Sequence, residues 1–189
     1  GKVDITEALE SMCEVEYMEG NNKVFCDRCK ANTDTVLKTA ISALPNVLVL
    51  SLKRFDLDYN TFETVKLNSR CAFGQTLNMK KYTLEGVNAT ENSVPNEDNE
   101  SIFAMDTEDD NSSRGKKSQM LSDDEYDYNL AGILVHAGGV QGGHYYSFIK
   151  DRSNTASAEH KWYKFDDEDV IPFDPSLIEQ ECFGGKVKK

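Results

Sequence analysis

Between residues 85 and 129 the chain carries thirteen acidic side chains, three basic ones and only scattered apolar residues among Asn and Ser. A stretch of that composition cannot bury enough apolar surface to offset the entropy lost on ordering it. Any core must therefore be assembled from the two flanking segments. Most of the formal net charge of −12 on the 189 residues sits in this stretch, and we expect a mobile insertion over 85–128. Within it Ser122 precedes Asp123, Asp124 and Glu125, a context that acid-directed kinases favour and where a phosphate would add charge. The plainer reading is a solvated loop. Asn88-Ala89-Thr90 and Asn111-Ser112-Ser113 match glycosylation acceptors, a weak signal in the compartment inferred below.

A length of 189 residues suits one compact domain or part of a larger one. The sequence shows no charged-then-apolar leader and no apolar run near the roughly 20 residues of a membrane helix. Five cysteines, an odd number at uneven spacing, do not form a secreted disulfide framework. Reduced thiols, a soluble protein and a cytoplasmic or nuclear location are expected, with no membrane partner. An acidic chain is also a poor partner for nucleic acid.

On either side of the acidic stretch the patterning is regular. Ile5, Ala8, Leu9 and Met12 recur at helical spacing, which predicts a short amphipathic helix over 5–13. The turn Cys26-Asp27-Arg28-Cys29 follows. Residues 35–43 and 46–55 read as strands separated by Leu44-Pro45, and the second, NVLVLSLKRF, is apolar enough for a core sheet. Beyond the acidic stretch, 129–136, 144–151, 161–165 and 169–173 read as short strands joined by Gly, Ser and Asp turns, and together as an antiparallel sheet. The tail PSLIEQECFGG starts at a proline and stops at two glycines, as a short capped helix would.

His144 follows Gly142-Gly143 and opens a strand, so a rigid element holds the imidazole beside a pliable loop. That setting suits a general base, which also needs an orienting carboxylate or amide on its other ring nitrogen. Asp166 and Asp167 end the next strand, and a hairpin brings them beside the start of the His144 strand. The alternative is an ordinary strand-edge histidine near a solvated turn.

Taken in order, LPNVLVLSLKRF, LAGILVHAGGVQGGHYYSFIKD and WYKFDDEDV resemble the C-terminal portion of the ubiquitin-specific proteases, papain-like cysteine deubiquitinases. The tail ECFGG and the long acidic insertion look most like the large fat-facets type. The resemblance implies an α+β, papain-like fold of mainly antiparallel sheet with short helices, a partial domain without the thumb. Residues 1–45 would be part of the fingers, 46–84 the palm and first gating loop, and 129–185 the palm with the His and Asp boxes.

The resemblance also makes His144 the base for a thiol nucleophile and Asp166 the residue that fixes its tautomer, with Asp167 as secondary support. Residues 138–143, including Gly142 and Gly143, would gate the ubiquitin tail, and Tyr145 and Tyr146 would line or brace the tail channel. Residues 62–77 would form the other gating loop, with Arg54 and Phe55 bracing the site and binding surface. A channel this narrow selects a Gly-Gly terminus because a side chain would clash. Ubiquitin and ubiquitinated proteins are the partners implied.

The family's nucleophile stands far upstream of these boxes, at the start of a helix, and none of Cys13, Cys26, Cys29, Cys71 and Cys182 has that setting. The nucleophile is expected on another stretch of chain, the N-terminal half of the catalytic domain, and these residues alone are expected to be inactive. Cys26 and Cys29 are half of a tetrahedral zinc site, structural if an upstream pair completes it and otherwise a reduced turn. No cofactor is required for the catalysis. The second reading is a ubiquitin-binding pseudo-protease or scaffold.

Overall fold

A computed structural model describes residues 4–91, 122–153 and 161–185. The described residues of 1–14, 47–77 and 129–189 form one compact unit, and those of 15–46 and 78–128 form another. No helix among the described residues is long and apolar enough to cross a membrane.

The first unit starts with helix α1 (Ile5–Met12), where Asp4 caps the first turn by accepting the Thr6 N–H at 2.6 Å. Leu9, one of the helically spaced apolar residues, is its buried member. In the second unit β1 (Glu16–Met18) pairs with β4 (Thr35–Leu37), and β2 (Val24–Cys26) pairs with β3 (Ala31–Thr33), both antiparallel. The predicted strand over 35–43 thus stops at Leu37, and only Ile41 bridges again, to Thr83.

The predicted core strand over 46–55 is not formed. Only Phe55 is in a strand, as the first residue of β5 (Phe55–Asp58), which forms a hairpin with β6 (Glu63–Lys66). Upstream, Val47 is 71% exposed and Val49 82% exposed. A strand needs a neighbour to receive its backbone hydrogen bonds, and no strand among the described residues pairs with 46–54.

Strands β7 (Thr76–Asn78) and β8 (Asp127–Asn129) are where the chain passes between units. The ends of the expected insertion are regular elements: helix α2 (Leu84–Glu91) on one side, and on the other a 3₁₀ turn at Asp123–Tyr126. That turn is closed by Ser122, whose N–H donates to Glu125 at 2.7 Å. Tyr126 is buried, its hydroxyl donates to Glu85, and that bond pushes the phenol up to about 12. The rest of the insertion, 92–121, lies outside the described residues.

Past the acidic stretch, the sequence reading and the structure agree closely. Strands β9 (Gly132–Gly138), β10 (Gly143–Lys150), β11 (Trp162–Asp166) and β12 (Asp169–Phe173) form one antiparallel sheet in the order β12-β11-β10-β9. A 3₁₀ turn at Pro175–Leu177 leads into α3 (Ile178–Cys182), and Gly184 and Gly185 end the tail at positive φ. One face of the sheet buries Phe148 and Trp162 against Ile178 and Phe183, with Ile133, Val135, Tyr146 and Phe173 packed around them. The molecule is of the α+β class, mainly antiparallel with short helices.

Candidate active site

Side chains alternate across a strand, and residues directly opposite in an antiparallel pair share a face. Phe148 stands opposite Lys164 in the β10–β11 register. His144, Tyr146 and Phe148 on β10 therefore share a face with Lys164 and Asp166 on β11. Phe148 is the buried anchor of that face, and His144 and Asp166 lie at its open end.

There His144 Nε2 and Asp166 Oδ1 are 2.5 Å apart, with the two side chains 46% and 31% exposed. The other carboxylate oxygen accepts from Lys164 Nζ at 2.6 Å. The Lys164 ammonium, and after it the His144 ring, holds the Asp166 carboxyl below the usual carboxylate range. Asp167 is more distant, its Oδ2 3.9 Å from His144 Nε2 and its side chain 80% exposed. It sits in the β11–β12 turn at φ 51, a left-handed conformation that Asp tolerates better than most residues. His144, Asp166 and Asp167 offer three ligand atoms within 4.8 Å of one another. A cation there would meet the Lys164 ammonium, which already balances the carboxylate.

The loop before His144 is a tight hairpin in which the Gly139 N–H donates to Gly142 O at 3.0 Å. Gly138 leaves β9 at φ 97. At Gly143 an added Cβ would lie 2.2 Å from His136 Nε2 and 2.4 Å from Ala137 O, so this glycine answers to packing. Gly142 has open space around its Cα.

Tyr145 and Tyr146, adjacent on β10, lie on opposite faces of the sheet. Tyr145 is 57% exposed and its ring lies 4.6 Å from that of His136. Tyr146 shares the His144 face, its ring 5.7 Å from Phe148, and burial pushes its phenol up. Phe55 also packs edge-on against the His136 ring, at 5.3 Å. Arg54 donates to the carbonyls of Leu67, Ser69 and Phe183, tying the loop after β6 to the tail.

Two site residues went unread in the sequence. Lys66, at the end of β6, donates to His136 O at 2.9 Å and Gly138 O at 2.8 Å, anchoring the base of the glycine hairpin. Nothing local in the sequence marks that contact. Lys164 did carry a signal, since two-residue spacing puts it on the Asp166 face.

Among the described residues no cysteine hydrogen-bonds to His144, whose side-chain partners are Asp166 and Asp167. Burial pushes Cys13 and Cys71 up, and Cys182 up to about 12. In the β2–β3 turn, hydrogen bonds from the Cys29 backbone and then its thiol lower Cys26, while the bond to Cys26 raises Cys29. Cys26 and Cys29 have the CxxC spacing of half a tetrahedral site, and no further cysteine or histidine joins them in a ligand group among the described residues.

The chain matches the family Ubiquitin carboxyl-terminal hydrolase over residues 6–183. It is 36% identical over 186 residues to human ubiquitin carboxyl-terminal hydrolase 9Y, covering 97% of this chain and 7% of that protein. It is 32% identical over 185 residues to the probable ubiquitin carboxyl-terminal hydrolase FAF of Drosophila melanogaster, covering 96% of this chain and 6% of that protein. The chain thus spans a small part of the relatives it matches. The SAGA Ubp8/Sgf11/Sus1/Sgf73 DUB module bound to ubiquitin aldehyde superposes with a TM-score of 0.64 at 26% identity, covering 97% of this chain and 32% of that one. The same module bound to monoubiquitin gives 0.63 at 25% identity, covering 96% and 31%. Matched by that family's model over residues 6–183 and 36% identical to a relative over 97% of its length, the chain belongs to the ubiquitin carboxyl-terminal hydrolase family.

Proposed function

We propose that the full-length protein is a deubiquitinase, a thiol-dependent hydrolase of isopeptide and peptide bonds at the C-terminal glycine of ubiquitin. In this reading the chain supplies the general base His144 and its orienting residue Asp166, and the nucleophilic cysteine comes from protein outside these 189 residues. The observation that carries it is the 2.5 Å contact of His144 Nε2 with Asp166, which leaves Nδ1 without a partner among the described residues. Occupied on one nitrogen, an imidazole is fixed in tautomer and orientation and can exchange a proton through the other.

In the reaction, Nδ1 takes the thiol proton as sulfur attacks the glycine carbonyl carbon. The imidazolium returns that proton to the departing amine as the C–N bond breaks, leaving a thioester. Water then gives a proton to Nδ1 as its oxygen attacks the thioester carbonyl, and the imidazolium returns that proton to the departing thiolate, restoring base and thiol and releasing the ubiquitin C-terminal acid, which ionises in solvent. The glycine hairpin at 138–143 stands immediately before the base, as a gate over a Gly-Gly tail would.

The test uses full-length protein and a fluorogenic ubiquitin amide. His144→Ala should abolish turnover while leaving ubiquitin binding largely intact, and Asp166→Ala should slow it severely; retained turnover in His144→Ala sinks the assignment. A scaffold without catalysis would bind ubiquitin with no turnover in the parent protein. We also propose that Cys26 and Cys29 hold structural zinc together with a second pair elsewhere in the full-length protein. Metal analysis should then find about one zinc per chain, lost in Cys26→Ser, and unchanged zinc in that variant would refute the site.

A further inference from the structure

We propose that Lys164 is a positioning residue for the His144 and Asp166 pair, holding Asp166 Oδ2 while Oδ1 faces the imidazole. The inference rests on the general-base role proposed for His144.

A carboxylate rotates broadly about its last torsion. One bond to the imidazole fixes one oxygen but not the plane of the group. At 31% side-chain exposure, water also competes for Asp166. The Lys164 ammonium, 2.6 Å from Oδ2, supplies the second fixed point. It is itself held, since its nitrogen lies 4.3 Å from the centroid of the Tyr146 ring, a cation–π distance, and its side chain is only 28% exposed. Tyr146 in turn packs edge-on against Phe148, which is 1% exposed and stands opposite Lys164. The orientation of the carboxylate is thus referred through a lysine and a tyrosine to the rigid centre of the sheet.

The ammonium also sets the electrostatics. It shares the Asp166 charge, so the imidazolium formed when His144 accepts a proton meets a carboxylate that is already partly balanced. The groups facing this cluster are Asp166, Asp167 and Tyr146 on the sheet, with Glu181 and Cys182 on α3. Glu181 interacts with both Lys164 and Tyr146. Among the charges facing His144 and Asp166, Lys164 is the cation in direct contact with the carboxylate.

The experiment compares Lys164→Met, Lys164→Arg and His144→Ala in the full-length protein on a fluorogenic ubiquitin amide. Lys164→Met keeps the length and apolar stem of the side chain and removes the ammonium. It should lower kcat by about 10-fold with KM within about 2-fold, as loss of an orienting contact does. The limb of the kcat/KM profile set by imidazole protonation should move to higher pH by about half a unit, because the imidazolium loses a repelling neighbour. Lys164→Arg keeps the charge and should stay within about 3-fold of the parent with its profile in place.

Wild-type kcat and pH profile in Lys164→Met would overturn the inference. So would equal losses in the Met and Arg variants with the profile unmoved, which would mark Lys164 as packing alone. Thermal midpoints report folding, and Lys164→Gln carries the same pH test where Lys164→Met is unfolded. Turnover in His144→Ala overturns the general-base reading itself, whereas an inactive His144→Ala beside an unaffected Lys164→Met overturns only the role of the lysine.

Discussion

Residues 46–54 and strand β10 carry the same kind of apolar run, yet only β10 is a strand. In β10, Phe148 is 1% exposed, and both edges are paired, to β9 and to β11. In the other run Val49 is 82% exposed and no strand among the described residues pairs with it. Apolar patterning describes what the faces of a strand want; it says nothing about which chain will fill its edges. For β10, the partner β9 follows from a four-residue turn, and β12 reaches β11 through a two-residue turn. Neighbours of that kind are specified by the local sequence.

The comparison is tested first where its contrast is greatest. Phe148→Ala should cost about 3–5 kcal/mol of unfolding free energy in chemical denaturation, because it opens a cavity under the sheet. Val49→Ser in the same 189 residues should cost less than about 0.5 kcal/mol, as exposed substitutions do. A cost at Val49 approaching that at Phe148 would mean that residues 46–54 are packed, and the contrast would fail. The same Val49→Ser change in the full-length protein sharpens it. A larger cost there would show that other parts of the protein supply the missing strand partner.

What was legible in the sequence follows the same division. The strands β9 and β10, and β11 and β12, were readable because a short turn joins each pair, and helix α1 and the tail helix because each carries its own cap or stop signal. The pairing of His144 with Asp166 was readable too, since a hairpin carries one to the other. Reading stopped where a contact depended on a distant residue. Lys66 reaches His136 and Gly138 across some seventy positions, with no local mark of it. Gly143 looked like a site of backbone freedom, yet a side chain there would strike the His136 ring, and no run of neighbouring residues announces a ring overhead. Lys164 and the opposed faces of Tyr145 and Tyr146 belong to a different class. Both follow from two-residue alternation within a correctly placed strand.

The smallest expected effect is a change with pH, and it separates the well-paired strand end from an ordinary exposed carboxylate. Lys164 and His144 hold the Asp166 carboxyl below its usual range in the folded chain. A depressed folded value means that the unfolded state takes up the proton first as the solution is acidified. The stabilisation from this group is therefore fully present above the ordinary carboxylate value and is lost as pH falls through the lower folded one. Asp166→Asn has no such titration. The difference in unfolding midpoint between parent and Asp166→Asn should stay constant through neutral and mildly acidic pH and narrow only at the acid end. Asp167, which is 80% exposed and makes its nearest contact with His144 at 3.9 Å, provides the control. If Asp167→Asn gave the same acid-dependent narrowing, the effect would belong to the turn's general negative charge, and the two aspartates could no longer be assigned different roles.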